Sequence, residues 1–81
     1  MGRTNRTYRD RLESTHSDLG DFRRALRYRD QAHYDRLWEH ARGYADAAGY
    51  ANLPRDLDSI YLSILVAQER RITELEARLN E

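Results

Sequence analysis

Apolar positions recur at helical spacing along most of this 81-residue chain. The first stripe, at intervals of three and four residues, consists of Tyr8, Leu12, His16, Leu19, Phe22 and Leu26. Such spacing lies on one face of an α-helix, so we expect a first helix over residues 8–27, with a weak point near Gly20 because glycine is a poor helix former. Asn5 or Thr7 is suited to cap it, and Thr7 with Asp10 resembles a capping box in which Asp replaces the usual Glu.

A second stripe predicts a helix over residues 31–48. Its members are Tyr34, Leu37, Trp38, Ala41, Tyr44, Ala45 and Ala48. Asp30 is a favoured N-cap residue, and Gly49 is suited to the position just beyond a helix end. Gly43 inside the stripe is tolerated at some cost in stability.

The third predicted helix, over residues 55–80, changes character along its length. From Leu57 to Ala67 apolar residues cover most of the helix surface, which is typical of a segment buried in a core. Towards the end of the helix the pattern narrows to a single stripe, which starts at Leu65 inside this segment. It runs at spacings of 3, 4, 3 and 4 through Leu65, Gln68, Ile72, Leu75 and Leu79. That spacing predicts a short coiled-coil-like seam. Gln68 stands where leucine is expected, and it either fixes the pairing or is simply half exposed.

Together these patterns predict one all-α domain, a three-helix up-down-up bundle with a long C-terminal helix that forms the seam. Residues 1–6 are expected to be a flexible basic arm. The third helix is longer than the second, so its end, with Leu75 and Leu79, should extend past its neighbours. A second copy of the same helix is the simplest cover, which predicts a homodimer or another homo-oligomer.

Composition narrows the possible functions. The chain has no cysteine, which excludes disulfides and thiolate sites. Its longest nearly apolar run, residues 60–67, is too short to span a bilayer. The polar opening has no apolar signal segment, so we expect a cytoplasmic protein without membrane contact. The net charge is zero, but residues 1–29 hold eight Arg against four acids (+4) and residues 30–81 hold six Arg against ten acids (−4).

The basic half raises the possibility of nucleic-acid binding. Its candidate contact residues are Arg3, Arg6, Arg9, Arg23, Arg24 and Arg27. An arginine-rich arm of this kind can enter a minor groove. Against this, an up-down-up bundle would bring the acidic residues Glu69, Glu74 and Glu76 near the arginine cluster. A neutral chain also gains little from counterion release.

Glu13 and His16 have the Glu-x-x-His spacing of di-iron helix bundles and are weak candidates for a metal site across a dimer. His16 also lies on the first apolar stripe, where a histidine is more often structural. The sequence contains no nucleophile triad order and no phosphate-binding glycine loop. We therefore expect no enzyme activity and no cofactor.

The opening Gly-Arg-Thr-Asn-Arg-Thr-Tyr-Arg-Asp at residues 2–10, with segments 22–27, 35–41 and 45–50, resembles a family of small uncharacterised archaeal proteins, mainly haloarchaeal. The resemblance extends over nearly the whole chain. It implies a domain of unknown function and an archaeal source, and it transfers no activity.

Three hypotheses follow, in order of preference. The first is a non-catalytic binding or adaptor protein that self-associates through its C-terminal helix and meets an unknown protein partner. The second is a small DNA- or RNA-binding protein that uses the basic arm and the arginine cluster. The third is a di-metal carboxylate oxidase built on Glu13 and His16 across a dimer.

Overall fold

The computed structural model describes residues 6–81, which form five α-helices and no β-strand. These helices are α1 (Tyr8–Asp18), α2 (Gly20–Ala25), α3 (Tyr28–Gly43), α4 (Ala45–Ala51) and α5 (Asp56–Leu79). The predicted all-α fold with a long C-terminal helix is confirmed. Of the predicted basic arm, only Arg6 lies within the described residues. In the part of the chain that the structure describes, no helix is both long and apolar enough to cross a membrane.

The first predicted helix is two helices. Its start is as expected, since the Thr7 hydroxyl accepts from the Asp10 amide (3.1 Å) and the Asp10 carboxylate accepts from the Thr7 amide (3.2 Å). This confirms the capping box. At Leu19 the backbone leaves helical geometry (φ −95°, ψ 15°), and α2 begins at Gly20. The weak point near Gly20 therefore interrupts the helix that we expected over residues 8–27.

The second predicted helix starts earlier than expected, and the assignment of Asp30 as its N-cap is wrong. Leu26 and Arg27 have extended backbones (ψ 151° and 147°), which end α2 and place Arg27 at the N-cap of α3. The Asp30 amide donates to the Arg27 carbonyl (2.8 Å), so Asp30 lies inside the first turn. The Gln31 side chain donates to the Arg23 carbonyl (3.2 Å) and thus satisfies an acceptor at the end of α2.

The same predicted helix is interrupted at Tyr44 (φ −114°), directly after Gly43, and then continues as α4. It also passes through Gly49, so the assignment of Gly49 as the stopping residue is wrong. Asn52, with a left-handed backbone (φ 49°), ends α4 instead. A Cβ on Gly49 would lie 3.4 Å from the Cβ of Tyr8, which indicates that this glycine serves close packing of α1 against α4.

The core lies between α1, α3, α4 and the first half of α5. Its buried apolar residues are Tyr8, Leu12, Tyr34, Trp38, Ala41, Ala45, Ala48 and Ile60. Three alanines allow the helices to approach closely. Three ion pairs connect α1 to other helices outside this core: Arg9 with Asp46 (2.9 Å), Arg11 with Asp56 (3.1 Å) and Glu13 with Arg42 (2.6 Å).

Candidate interaction surface on helix α5

Only one line of α5 is buried. It consists of Ser59, Ile60, Ser63 and Ala67. The Ser63 hydroxyl donates to the Ser59 carbonyl one turn earlier (2.9 Å), so this polar group needs no partner from another helix. After Ala67 every residue of α5 is exposed. The final half of the helix, residues 68–79, therefore extends about 18 Å beyond its last buried residue.

The expectation that residues 57–67 are buried on all sides is wrong. Tyr61, Leu62, Leu65 and Val66 are each more than half exposed (56%, 55%, 59% and 51%). The reason is that α1, α3 and α4 pack against one side of α5, and no further helix within residues 6–81 covers the other side. An apolar surface thus remains on a helix that the sequence pattern assigned to the core.

Six residues of this surface form a continuous line, which we call the outer stripe. They are Tyr61, Leu65, Gln68, Ile72, Leu75 and Leu79, at spacings of 4, 3, 4, 3 and 4. All six are exposed, and Leu79 reaches 83%. At about 100° per residue, the outer stripe lies roughly 140° around the helix from the buried line. It includes every residue of the predicted seam and extends that seam by one turn to Tyr61.

Two grooves lie beside the outer stripe. One, of about 310 Å³, separates α3 from the later part of α5 and is lined by His33, Arg36, Leu37, His40, Gln68, Arg71, Ile72 and Leu75. The other, of about 270 Å³, is lined by Leu19, Phe22, Tyr34, Leu37, Trp38, Leu57, Ile60, Tyr61 and Ile64. Leu37 belongs to both grooves, and Phe22 is 55% exposed. The apolar surface therefore continues from α5 onto α2 and α3.

The predicted contacts between the arginine cluster and the acidic end of α5 are not formed. Arg23 instead binds Asp35 of α3 through two hydrogen bonds (2.7 and 2.9 Å), and Arg24 pairs with Asp21 in its own helix. The physical reason is that α2 is short and packs on α3, while the end of α5 extends away. The hydrogen bonds from Arg23 lower the pKa of Asp35 below its ordinary value.

Most of the remaining candidate nucleic-acid contacts are also bound to residues of the same chain. Arg9 pairs with Asp46, and Arg6 donates to the Asp10 carbonyl (3.2 Å). Arg27 forms no ion pair within residues 6–81. Arg3 lies outside the described residues. The structure therefore places most of the described candidates in intramolecular contacts and does not gather them into one basic patch.

Glu13 and His16 lie together, but Arg42 occupies the space between them. Its guanidinium donates to both Glu13 oxygens (2.6 and 3.0 Å) and lies 2.9 Å from His16 Nδ1. Because arginine can only donate, a hydrogen bond at this distance requires His16 Nδ1 to be the acceptor. The His16 ring stacks on Trp38, with centroids 4.5 Å apart. The hydrogen bonds from Arg42 lower the pKa of Glu13.

This cluster is suited to a structural role. A guanidinium in contact with both candidate ligands opposes the approach of a metal cation. Within residues 6–81 no group of three or more His, Asp or Glu side chains is arranged to hold a metal ion. Sequence spacing found Glu13 and His16 but missed Arg42, since nothing in the pattern of α3 relates that residue to α1.

A family model described as a domain of unknown function, DUF8156, matches residues 1–81. The chain belongs to this family. The expected resemblance to a domain of unknown function is thereby confirmed, and the description assigns no activity. No curated protein and no solved structure matched the chain.

Proposed function

We propose that this member of the DUF8156 family is a non-catalytic helical interaction module that self-associates through α5. The observation that supports the proposal is the outer stripe, an exposed apolar line on the side of α5 opposite its buried line. Contiguous exposed apolar surface is a usual mark of a protein–protein contact. The adaptor role is the second part of this proposal: the assembled protein would contact a further protein partner.

The free energy of burying apolar side chains favours contact between the outer stripe and a partner. Burying one leucine or isoleucine side chain stabilises a protein by roughly 1.5–3 kcal/mol. A domain near 80 residues rarely has more than about 3–5 kcal/mol from its own core. Association that further buries Leu65, Ile72, Leu75 and Leu79 would therefore add stabilisation from apolar burial, from which the entropic cost of association is subtracted.

Sedimentation velocity tests the proposal. We expect the wild-type protein to be a dimer or larger at about 50 μM, a concentration at which even a weak specific interface is populated. Leu75→Glu places a charge in the outer stripe and should shift the protein towards monomer. Ala77→Glu adds the same charge to an exposed residue on another side of the same helix and should leave the assembly intact. A monomeric wild type would refute the proposal.

We also infer an up-down-up arrangement in which α3 and α4 together form the second layer. Arg9 contacts Asp46 and Glu13 contacts Arg42, so the partner position moves backwards as α1 advances. Arg11 pairs with Asp56 at the start of α5 (3.1 Å), as expected if α1 and α5 begin at the same end of the bundle.

We also infer an archaeal source. The inference rests on the resemblance of the opening residues and on a chain in which all fourteen Lys and Arg positions are Arg.

Nucleic-acid binding is the alternative function, and one observation favours it. Tyr28 is 90% exposed between Arg27 and Arg29, an aromatic ring and two cations at the N-terminal end of α3. Fluorescence anisotropy with duplex DNA at two salt concentrations tests this function. Binding in the nanomolar range at physiological salt, lost in Arg27→Gln/Tyr28→Ala, would favour it over self-association as the main activity.

A further inference from the structure

The charges beside the outer stripe carry information about how two copies of α5 would pair. We infer that the two helices run parallel and in register. The inference rests on the self-association proposed above and adds the direction and alignment of the contact. It derives from the positions of four charged residues, one amide and two leucines.

The outer stripe has the spacing of the a and d positions of a heptad repeat. Leu65, Ile72 and Leu79 take position a, and Tyr61, Gln68 and Leu75 take position d. The buried line of α5, formed by Ser59, Ile60, Ser63 and Ala67, then takes positions b, c and f. The deepest burial of α5 is therefore on the opposite side of the helix. The a and d residues are exposed, and Gln68, Ile72 and Leu75 also line the groove beside α3.

The positions flanking the stripe carry opposite charges. Arg71 and Arg78 take position g on one side, and Glu69 and Glu76 take position e on the other. Within residues 6–81 these four side chains form no ion pair. In contrast, Arg70 and Glu74, which lie away from the stripe, pair with each other (3.7 Å). The flanking charges thus remain available to a second copy.

The charge pattern distinguishes the two directions. In a parallel pair, a g residue lies beside the partner's e residue five positions later, which brings Arg71 to the partner's Glu76. In an antiparallel pair, g lies beside g and e beside e. Arginine would then meet arginine, and glutamate would meet glutamate. Since such pairs set the orientation of coiled coils, the pattern favours the parallel direction.

Leu57 and Leu62 support the same direction near the start of α5. They are exposed by 38% and 55% and occupy positions g and e. Their separation of five residues is the one that a parallel pair brings into contact, so Leu57 would cover the partner's Leu62. This explains why two leucines beside the stripe are apolar where later turns of the helix carry charge.

Gln68 fixes the register. In a parallel and aligned pair, Gln68 faces the partner's Gln68, and each amide can both donate to and accept from the other. An alignment shifted by one heptad would place the amide of one copy against the partner's Leu75 and the amide of the other copy against Tyr61, so the hydrogen bonds between the two amides would be lost. A polar residue inside an apolar seam is a known means of specifying alignment at some cost in stability.

Cysteine cross-linking tests the direction directly, because the chain has no cysteine of its own. Gln68→Cys and Leu75→Cys are prepared separately, confirmed as dimers by sedimentation and then oxidised. In a parallel aligned pair both positions face their own copies within about 4.4–6.8 Å between Cα atoms, so both variants should form disulfide dimers. Ala77→Cys at the exposed f position is the control that should not cross-link.

The outcomes separate the two proposals. In an antiparallel pair at most one of these positions can face its own copy, since the other would be about 21 Å from its equivalent. A dimer in which only one variant, or neither, cross-links overturns the parallel direction while self-association stands. A wild type that is monomeric by sedimentation overturns self-association itself.

A charge reversal gives an independent measurement that leaves the apolar seam intact. Arg71→Glu should weaken a parallel dimer several-fold, because it places two glutamates beside each other in each g–e contact. The double variant Arg71→Glu/Glu76→Arg should restore the wild-type affinity. Unchanged or stronger association of Arg71→Glu is the result expected for an antiparallel pair and would overturn the inference.

Discussion

Arg42 holds Glu13 through two nearly parallel hydrogen bonds, Nε to Oε2 at 2.6 Å and Nη2 to Oε1 at 3.0 Å. This contact joins α1 to α3 across 29 residues of chain. Both side chains are partly exposed, at 38% and 51%, so solvent screens the attraction. A pair of this kind contributes at most about 1 kcal/mol.

The free energy of unfolding should decrease in acid, because two carboxylates, Glu13 and Asp35, lose their ion pairs when they are protonated. Hydrogen bonds from Arg42 and Arg23 hold the pKa values of Glu13 and Asp35 below their ordinary values of 4.5 and 3.8. A group whose folded-state pKa is lowered contributes stability above its unfolded pKa and loses it as the pH falls through the folded value. We therefore expect the urea midpoint to be flat near neutral pH and to decrease below pH 4.5.

The double variant Glu13→Gln/Asp35→Asn is the matched comparison for this experiment. It removes both charges while keeping side-chain shape, so its midpoint should be lower at neutral pH and less sensitive to acid. An acid dependence equal to that of the wild type would show that other carboxylates dominate.

His16→Gln should leave the protein assembled and without bound metal. Glutamine can keep an acceptor near Arg42 but loses the stacked ring on Trp38, so we expect a loss of about 0.5–3 kcal/mol in the free energy of unfolding. Added Mn²⁺ or Fe²⁺ should not raise the melting temperature of the wild type, since a metal that binds the folded state would stabilise it. Elemental analysis that finds metal near stoichiometry in the wild type and none in the variant would contradict this expectation.

Removing the hydroxyl of Tyr34 should not destabilise the fold. The residue is buried, and its hydroxyl has no hydrogen-bond partner among residues 6–81. An unsatisfied buried polar group costs about 1–3 kcal/mol, so Tyr34→Phe should leave stability unchanged or raise it by about 1 kcal/mol in urea unfolding. Tyr50→Phe at a 93% exposed position is the control with no expected effect. A clear loss in Tyr34→Phe would indicate a water-mediated bond to this hydroxyl.

Gly43→Ala should stabilise the protein. A Cβ at this position would meet no atom within 4 Å, and the residue lies in the last turn of α3. Alanine in a helix is favoured over glycine by about 0.5–1 kcal/mol. Gly49→Ala should gain less, because its Cβ would press against Tyr8 at 3.4 Å. Thermal unfolding of the two variants side by side checks the order, and an equal gain would argue against close packing at Gly49.

The sequence predicted those features that depend on neighbouring residues. The Thr7 capping box, the all-helical fold and the extent of α5 all follow from local spacing and propensity. The sequence predicts a weak point near Gly20 and a tolerated glycine at Gly43, yet the helix is interrupted beside both. Spacing alone could not tell a tolerated glycine from a break, because the outcome depends on packing around Leu19 and Tyr44.

The errors have a common physical origin. The apolar segment 57–67 was expected in the core because a sequence shows which residues are apolar but not how many helices surround them. Likewise, Arg23 and Asp35 are twelve positions apart and meet only because the chain turns at Leu26. Such contacts depend on tertiary geometry, which the spacing of residues along the sequence does not reveal.

The exposed half of α5 has a consequence for local motion. None of residues 68–79 is buried, although Gln68, Ile72 and Leu75 line the groove beside α3. A helical segment of about twelve residues with so little packing is only marginally stable in water. Amide hydrogens there should exchange rapidly in dilute solution, while those near Ile60 stay protected. Raising the protein concentration should slow exchange most strongly beyond Ala67. The order of this segment would then depend on the abundance of the protein in the cell, so that expression level itself controls whether the end of the helix is formed.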